Sequence, residues 1–255
     1  MKAKLIFALQ HPLVTLQACN AAVDHLMSNW LSRAAVSLSS DKGIPGHGYT
    51  RVYLRQFAPL RETARHVLEI GLLRDDSARK TPGANRHAPS LCMWAAYFPN
   101  AKITGFDIDD FSGFSHPRCA VVQGDQSSRA DLSKLAETMG DARFDIIIDD
   151  GSHVPSHQQI TLGALFPFLS PGGLYCIEDL HFQPRTDADS GVPATLSLLK
   201  HLQAGKPVQS PALTDPEARY LQRHVDEIDF YDSLRPDIQG RAALAVIRKT
   251  PASSG

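Results

Sequence analysis

Two stretches carry the residues whose types and spacing could do chemistry. Phe144 to His157 reads FDIIIDDGSHVPSH, and Leu174 to His181 reads LYCIEDLH. Each is a short apolar run ending in paired acids followed by a histidine, the pattern of a buried parallel strand that empties its last residues into a cleft. Parallel strands deliver their carboxyl ends to one side of a sheet, so Asp149, Asp150, Glu178, Asp179, His153 and His181 should share one edge. Carboxylates ligate hard divalent cations and imidazole titrates near neutral pH; together they outline a metal-and-base site. Acids after a strand also serve as helix caps or solvated loop residues. Their arrival as two pairs, each directly after an apolar run, favours the chemical reading.

Three further runs end in acids of a different kind. HVLEIGL offers Glu69 and Gly71, AKITGFDID offers Asp107, and CAVVQGD followed by Gln126 offers Asp125 and an amide. A dinucleotide fold would place GxGxxG after the first of these, so that backbone amides at a helix start could hold a pyrophosphate. That fingerprint is missing, which argues against a nicotinamide cofactor. Three acids at successive strand ends suit a ligand with a ribose, an adenine and a positive charge, and repel a pyrophosphate. S-adenosylmethionine meets that description. The intervening loop from Leu72 to Pro89, with Arg74, Asp75, Asp76, Arg79, Lys80 and Arg86, is long and basic, and its cofactor contacts are left unassigned.

The elements that must position these residues follow from periodicity. HVLEIGL is a first strand, SLCMWAAYF a helix, AKITGFDID and CAVVQGD two more strands, and SSRADLSKLAETMG a helix capped by Ser127 or Ser128. FDIIIDD is a fourth strand, HQQITLGALFPFL its helix, and GLYCIED a fifth strand introduced by the turn SPGG. After the helical PALTDPEARYLQRH, the runs VDEIDFYD and RAALAVIRK form a terminal hairpin. The expected fold is α/β: a Rossmann-like, doubly wound, seven-stranded sheet with an antiparallel C-terminal hairpin and an N-terminal helical extension. Residues 1–57 should be a helical cap and cofactor-proximal loop, 58–250 the main domain and 251–255 a disordered tail. Within the cap, residues 13–38 read as amphipathic helix, and Asp41, Lys42, His47 and Tyr49 lie in a glycine-rich loop before a helix that begins near Tyr49. Trp94, Tyr97 and Phe98 at helical spacing read as core or interface rather than a substrate platform, and DLHFQPRTDADSG as a substrate loop or a plain surface loop.

With 255 residues and a net charge of −1, the chain can bury a large core and has no broad attraction for nucleic acid or anionic lipid. Neither nucleic acid nor membrane is expected as a partner; a homo-oligomer is. Cys19, Cys92, Cys119 and Cys176 show no CxxC spacing, and with no signal-like N-terminal run or span of about 18 apolar residues, a cytoplasmic location is expected.

EIG, PSLCMWAAYFPNAKITGFDID, GDQS, FDIIIDDGSH and LSPGGLYCIEDLH, in that order, resemble the metal-dependent class I sugar O-methyltransferases of antibiotic pathways, the macrolide and rhamnosyl group related to cephalosporin-hydroxylase-like proteins. The similarity runs from about Asp41 to His181 and fades on either side. The resemblance implies S-adenosylmethionine and Mg2+ as cofactors, with Asp150, Glu178 and Asp179 holding the metal and His153 as general base. It further implies cofactor contacts from Tyr49, Glu69, Gly71, Ser90, Asp107, Asp125, Gln126 and Asp149. His157, four residues after His153 and expected on the same helical face, and His181 are rival bases. The implied reaction methylates a vicinal-diol hydroxyl of a small-molecule glycoside or glycan. A catechol-like acceptor, or a non-catalytic cofactor-binding component of a biosynthetic complex, are the alternatives.

Overall fold

The computed structural model describes residues 30–43, 46–72, 87–186 and 191–252. The expectations for residues 13–29, for Cys19, for most of the basic loop and for the last three residues of the tail lie outside these.

Helices α1 (Trp30–Ser37) and α2 (Thr50–Phe57) precede a sheet whose strands are β1 (His66–Ile70), β2 (Lys102–Asp107), β3 (Cys119–Gln123), β4 (Phe144–Asp149), β5 (Leu169–Ile177), β6 (Val225–Asp232) and β7 (Ala242–Lys249). Between them run α3 (Pro89–Tyr97), α4 (Arg129–Glu137), α5 (Pro155–Leu165), α6 (Thr195–Gln203) and α7 (Asp215–His224). The strand order is β3-β2-β1-β4-β5-β7-β6. β1 to β5 pair in parallel, and β7 runs antiparallel to both β5 and β6, so the expected doubly wound sheet with its terminal hairpin is what forms.

Strand side chains alternate between faces with a period of two, and here both faces are covered. Val67, Ile103, Ile146, Ile148 and Val246 pack with α1, α2 and α3 on one side. Leu68, Phe106, Ile147, Tyr175 and Ile247 pack with α4 to α7 on the other. Unbroken Ile146-Ile147-Ile148 is therefore a strand buried on both faces. Trp94, Tyr97 and Phe98 are buried in the first cluster, which decides for the core reading. Helix caps fall where polar residues allow: Ser128 accepts from Asp131 N, and Thr214 with Glu217 closes a capping box at α7.

Two sequence expectations need correction. SPGG is not a turn before β5 but part of it: the strand starts at Leu169, and a register shift against β4 with Gly172 at φ +75° absorbs the proline and glycines as a bulge. His153 and His157 do not share a helical face, because α5 begins at Pro155 and His153 sits before it at φ +58°.

Register places the site. Ile70 pairs with Phe106 and with Asp149, and Asp149 pairs with Ile177. The next residues on four adjacent strands, Gly71, Asp107, Asp150 and Glu178, therefore leave the sheet side by side. No helix among the described residues is long and apolar enough to cross a membrane.

Candidate active site

The strand ends carry a cleft and, adjoining it, a cluster of acids and imidazoles. The cleft, about 230 Å³, is lined by Gly71, Asp107, Ile108, Asp125, Gln126, Asp150, Gly151, Ser152 and His157, among others. Gly71 (φ +83°) is required there: a Cβ would collide with the Asp150 carbonyl, because the first strand's turn lies directly against the fourth strand's end. Asp107 is nearly buried, its two oxygens accepting from the backbone N–H of Leu72 at 2.7 Å and of Asp109 at 2.9 Å. Those bonds fix the carboxylate against the cleft wall. Asp125 is fixed in the same manner by the N–H and hydroxyl of Ser127, both at 2.7 Å.

Of the eight residues expected to contact the cofactor, the structure brings Gly71, Asp107, Asp125 and Gln126 together in this cleft. The other four face elsewhere. Asp149 is fully buried one hydrogen bond behind the wall, where Gln126 Nε2 donates to it at 2.7 Å while Gln126 Oε1 accepts from Ser152 N at 3.0 Å. Burial pushes the Asp149 carboxyl up to about 7. It braces the loop rather than lining the cleft. Glu69 is buried beside Lys42, with Ser90 against it. Tyr49 donates to Asp179 Oδ1 at 2.7 Å and so belongs with the acids.

Lys42 organises those acids. Its ammonium, 1% exposed, lies 2.6 Å from Asp150 Oδ2, 2.8 Å from Glu178 Oε1 and 3.2 Å from Glu69 Oε1. Tyr53 OH donates to the same Glu178 oxygen at 2.6 Å. One ammonium thus faces three carboxyl groups in a buried site, a formal excess of two acids over bases. Burial, countered in part by Lys42, raises the Glu69 and Asp150 carboxyls, and burial together with Asp150 raises Glu178.

Asp179 stands apart from this arrangement. His47 Nδ1, His153 Nε2 and His181 Nδ1 surround its carboxylate at 3.5, 3.7 and 4.0 Å. Burial works to raise its pKa, but the imidazoles and the Tyr49 hydroxyl prevail and hold it below the usual carboxylate range. Asp179 (φ +55°) and His153 are two of the three non-glycine residues at positive φ among those described, and strain of this kind is held where surrounding contacts over-determine it. His153 faces this acid and the edge of the Phe182 ring, 6.2 Å away, and Phe182 is 57% exposed. Of the rival bases, His157 is tied to Ser152 Oγ at 2.8 Å on the cleft side, and burial lowers the pKa of His181.

Asp150, His153 and Asp179 present ligand atoms within 4.8 Å of one another, as do His47, Asp179 and His181. Of the three expected metal carboxylates, Asp150 and Asp179 thus meet, while Glu178 reaches Asp150 through the shared ammonium. Lys42, expected in a cofactor-proximal loop, turns to the acids, and Tyr53 is a partner outside the expected set of site residues. Tyr53 lies one helical turn after Tyr49, a spacing that signals a shared target.

No family model matches the chain. It is 37% identical over 222 residues to the 8-demethyl-8-alpha-L-rhamnosyl tetracenomycin-C 2'-O-methyltransferase of Streptomyces olivaceus, a match covering 84% of this chain and 56% of the relative. It is 34% identical over 206 residues to the mycinamicin VI 2''-O-methyltransferase of Micromonospora griseorubida, covering 76% and 49%. The structure of MycE, a methyltransferase of mycinamycin biosynthesis solved in complex with Mg, S-adenosylhomocysteine and mycinamycin VI, superposes with a TM-score of 0.67 at 29% identity, covering 88% of this chain and 56% of that one. The chain spans about half the length of the curated relatives it matches. Over that span it shares their α/β methyltransferase fold and is a homologue of the sugar O-methyltransferases of macrolide and tetracenomycin pathways.

Proposed function

We propose that this protein is an S-adenosylmethionine-dependent, Mg2+-dependent O-methyltransferase acting on one hydroxyl of a vicinal diol in a sugar, borne by a natural product or a glycan. One observation carries the reading: Asp150 both lines the cleft of strand-end acids and belongs to the cluster with His153 and Asp179. A methyl donor in the first would lie next to an acceptor oxygen held at the second. The relatives' names and the ligands of MycE support the same assignment.

The residues fit the cofactors. Asp107 and Asp125 offer fixed acceptors to ribose and adenine donors, and no phosphate-binding glycine fingerprint competes. Ile108, 54% exposed in the cleft, offers an apolar surface for a base. The acid cluster sets three carboxyl groups against one ammonium, leaving acid groups whose ionised forms a divalent ion would favour, and Asp150 and Asp179 are hard oxygen donors suited to magnesium. Bound there, magnesium would favour the ionised form of an acceptor hydroxyl. His153 Nε2 accepts the hydroxyl proton, and Asp179 beside it stabilises the imidazolium that results. Phe182 offers an apolar wall to one sugar face. The shaped cleft aligns donor and acceptor and excludes water, which is most of what a transfer that extinguishes a sulfonium charge requires. The same reading takes the protein as a homo-oligomer, with Trp30 and Val36 exposed on α1 and Leu38 exposed just after it as the surface to probe by light scattering.

Methyl transfer from S-adenosylmethionine to rhamnosides and to catechols, each with Mg2+ and with EDTA, tests the reading. Magnesium-dependent methylation of rhamnosides is the expected result. Full activity in EDTA would remove the metal, preference for catechols would move the acceptor class, and cofactor binding with no turnover on any diol would leave only a binding role.

A further inference from the structure

The histidines divide between the two oxygens of Asp179. Oδ2 faces His153, whereas Oδ1 faces His47 Nδ1 at 3.5 Å and His181 Nδ1 at 4.0 Å, with Tyr49 OH donating to it at 2.7 Å. The second group is enclosed: the His181 and His47 side chains are 8% and 11% exposed. His181 Nδ1 is buried and makes no hydrogen bond among the described residues, a desolvated polar atom that a bound ligand would satisfy. The rings are also held in place. His47 stacks on Tyr49 at 4.9 Å and tilts against His181 at 5.6 Å between centroids.

Two imidazole nitrogens and one carboxylate oxygen are the donor set of zinc, not of magnesium, which takes oxygens. Ligand bonds of about 2.0–2.1 Å in a tetrahedron put donor atoms roughly 3.3 Å apart, so the observed 3.5 and 4.0 Å need about 0.2 and 0.7 Å of contraction, within reach of side-chain rotation. Three protein ligands leave the fourth position open. Arg235, a positive charge that acts on His181, is itself paired with Asp237 at 2.6 Å.

We infer that His47, Asp179 and His181 form a second cation site that takes zinc or another imidazole-preferring divalent transition metal. It is distinct from the Asp150, His153 and Asp179 group but shares Asp179 with it. The two groups share Asp179, which offers Oδ1 to His47 and His181 and Oδ2 to His153, so each can use its own carboxylate oxygen. This goes beyond the transferase reading, since the site depends on no methyl donor or acceptor.

Metal-free protein titrated with Co2+ in excess Mg2+ tests it. The expected result is one equivalent bound with the visible absorption of a four-coordinate ion, displaced by Zn2+ and not by Mg2+. His47→Gln and His181→Gln should each lose that band, and Asp150→Asn should keep it. X-ray absorption at the zinc edge of the wild-type protein should count two imidazoles, a readout that stands even where a variant fails to fold. No such band, a band erased by Mg2+, its survival in both histidine variants, or an all-oxygen zinc shell would each overturn the site. Neither measurement involves methyl transfer, so the site and the transferase reading can fail separately.

Discussion

Glu178 and Asp179 leave the same strand end and meet opposite surroundings. Glu178 is nearly buried, with its Oε1 gripped by the Lys42 ammonium and the Tyr53 hydroxyl. Asp179 turns through a left-handed backbone into a pocket of three imidazoles and Tyr49. One carboxyl is raised and the other lowered, although both are largely buried. Burial alone therefore does not set the chemistry here: the Asp150 carboxylate beside Glu178 adds to the rise that Lys42 only partly offsets, whereas the imidazoles and the Tyr49 hydroxyl around Asp179 outweigh burial. A fixed ammonium one residue away builds a charge scaffold, and imidazoles around Asp179 leave an acid free to exchange partners.

The comparison is sharpened first at the histidine side, where the largest effect is expected. His153→Ala should lower kcat by roughly 10²–10⁴-fold while S-adenosylhomocysteine affinity, measured by calorimetry, stays within about twofold. A near wild-type rate would take the proton-accepting role away from His153. On the scaffold side, Lys42→Met strands three buried acids and should cost about 3–5 kcal/mol in denaturant unfolding of the metal-free protein. Glu178→Gln instead relieves the excess charge and should cost less than about 1 kcal/mol. Equal losses in the two variants would mean that Lys42 and Glu178 form an ordinary pair, not one ammonium shared among too many acids. In the cleft, Asp107→Asn removes a charged acceptor and should weaken cofactor binding by about 10- to 100-fold, consistent with 1.5–3 kcal/mol for a charge-assisted hydrogen bond.

What was legible in the sequence is what local pattern dictates. Apolar runs such as Ile146 to Ile148 mark strands covered on both faces, and parallel pairing forces their acidic ends to one edge. Which way each acid then points is set by contacts distant in sequence. Lys42 lies 108 residues before Asp150 and 136 before Glu178, and no periodicity links them. The left-handed turns at His153 and Asp179 are hardly more visible, because Asp and His adopt a positive φ more often than most residues yet still do so rarely. Asp149 illustrates the same limit. It is the last residue of β4, so alternation turns it inward to Gln126 while Asp150, one step on, reaches the cleft. SPGG has the composition of a turn; pairing of Leu169 with Phe144 before it and of Leu174 with Ile146 after it carries it into the strand as a bulge.

The smallest effect concerns an acid far from the site that extends the comparison to a third kind of partner. Glu217 accepts from Arg129 Nε at 3.0 Å and Nη2 at 2.8 Å, and it closes the capping box of α7 by accepting from Thr214 N at 2.7 Å. Burial acts to raise its pKa, but the guanidinium and the backbone N–H outweigh it and leave the carboxyl below its ordinary 4.5. A carboxyl lowered on folding contributes stability above its unfolded pKa and loses it as pH falls through the folded value. Glu178, raised on folding, has the opposite sign: its contribution is present at low pH and fades as pH rises. Because Arg129 is 41% exposed, the Glu217 contribution is modest, and Glu217→Gln should cost about 1 kcal/mol at pH 7 and progressively less below pH 4.5. Denaturant midpoints of wild type and variant should therefore converge on acidification. Midpoints that stay parallel across that range would mean that the cap geometry, which glutamine retains in part, and not the ionised carboxylate, is what Glu217 contributes to α7.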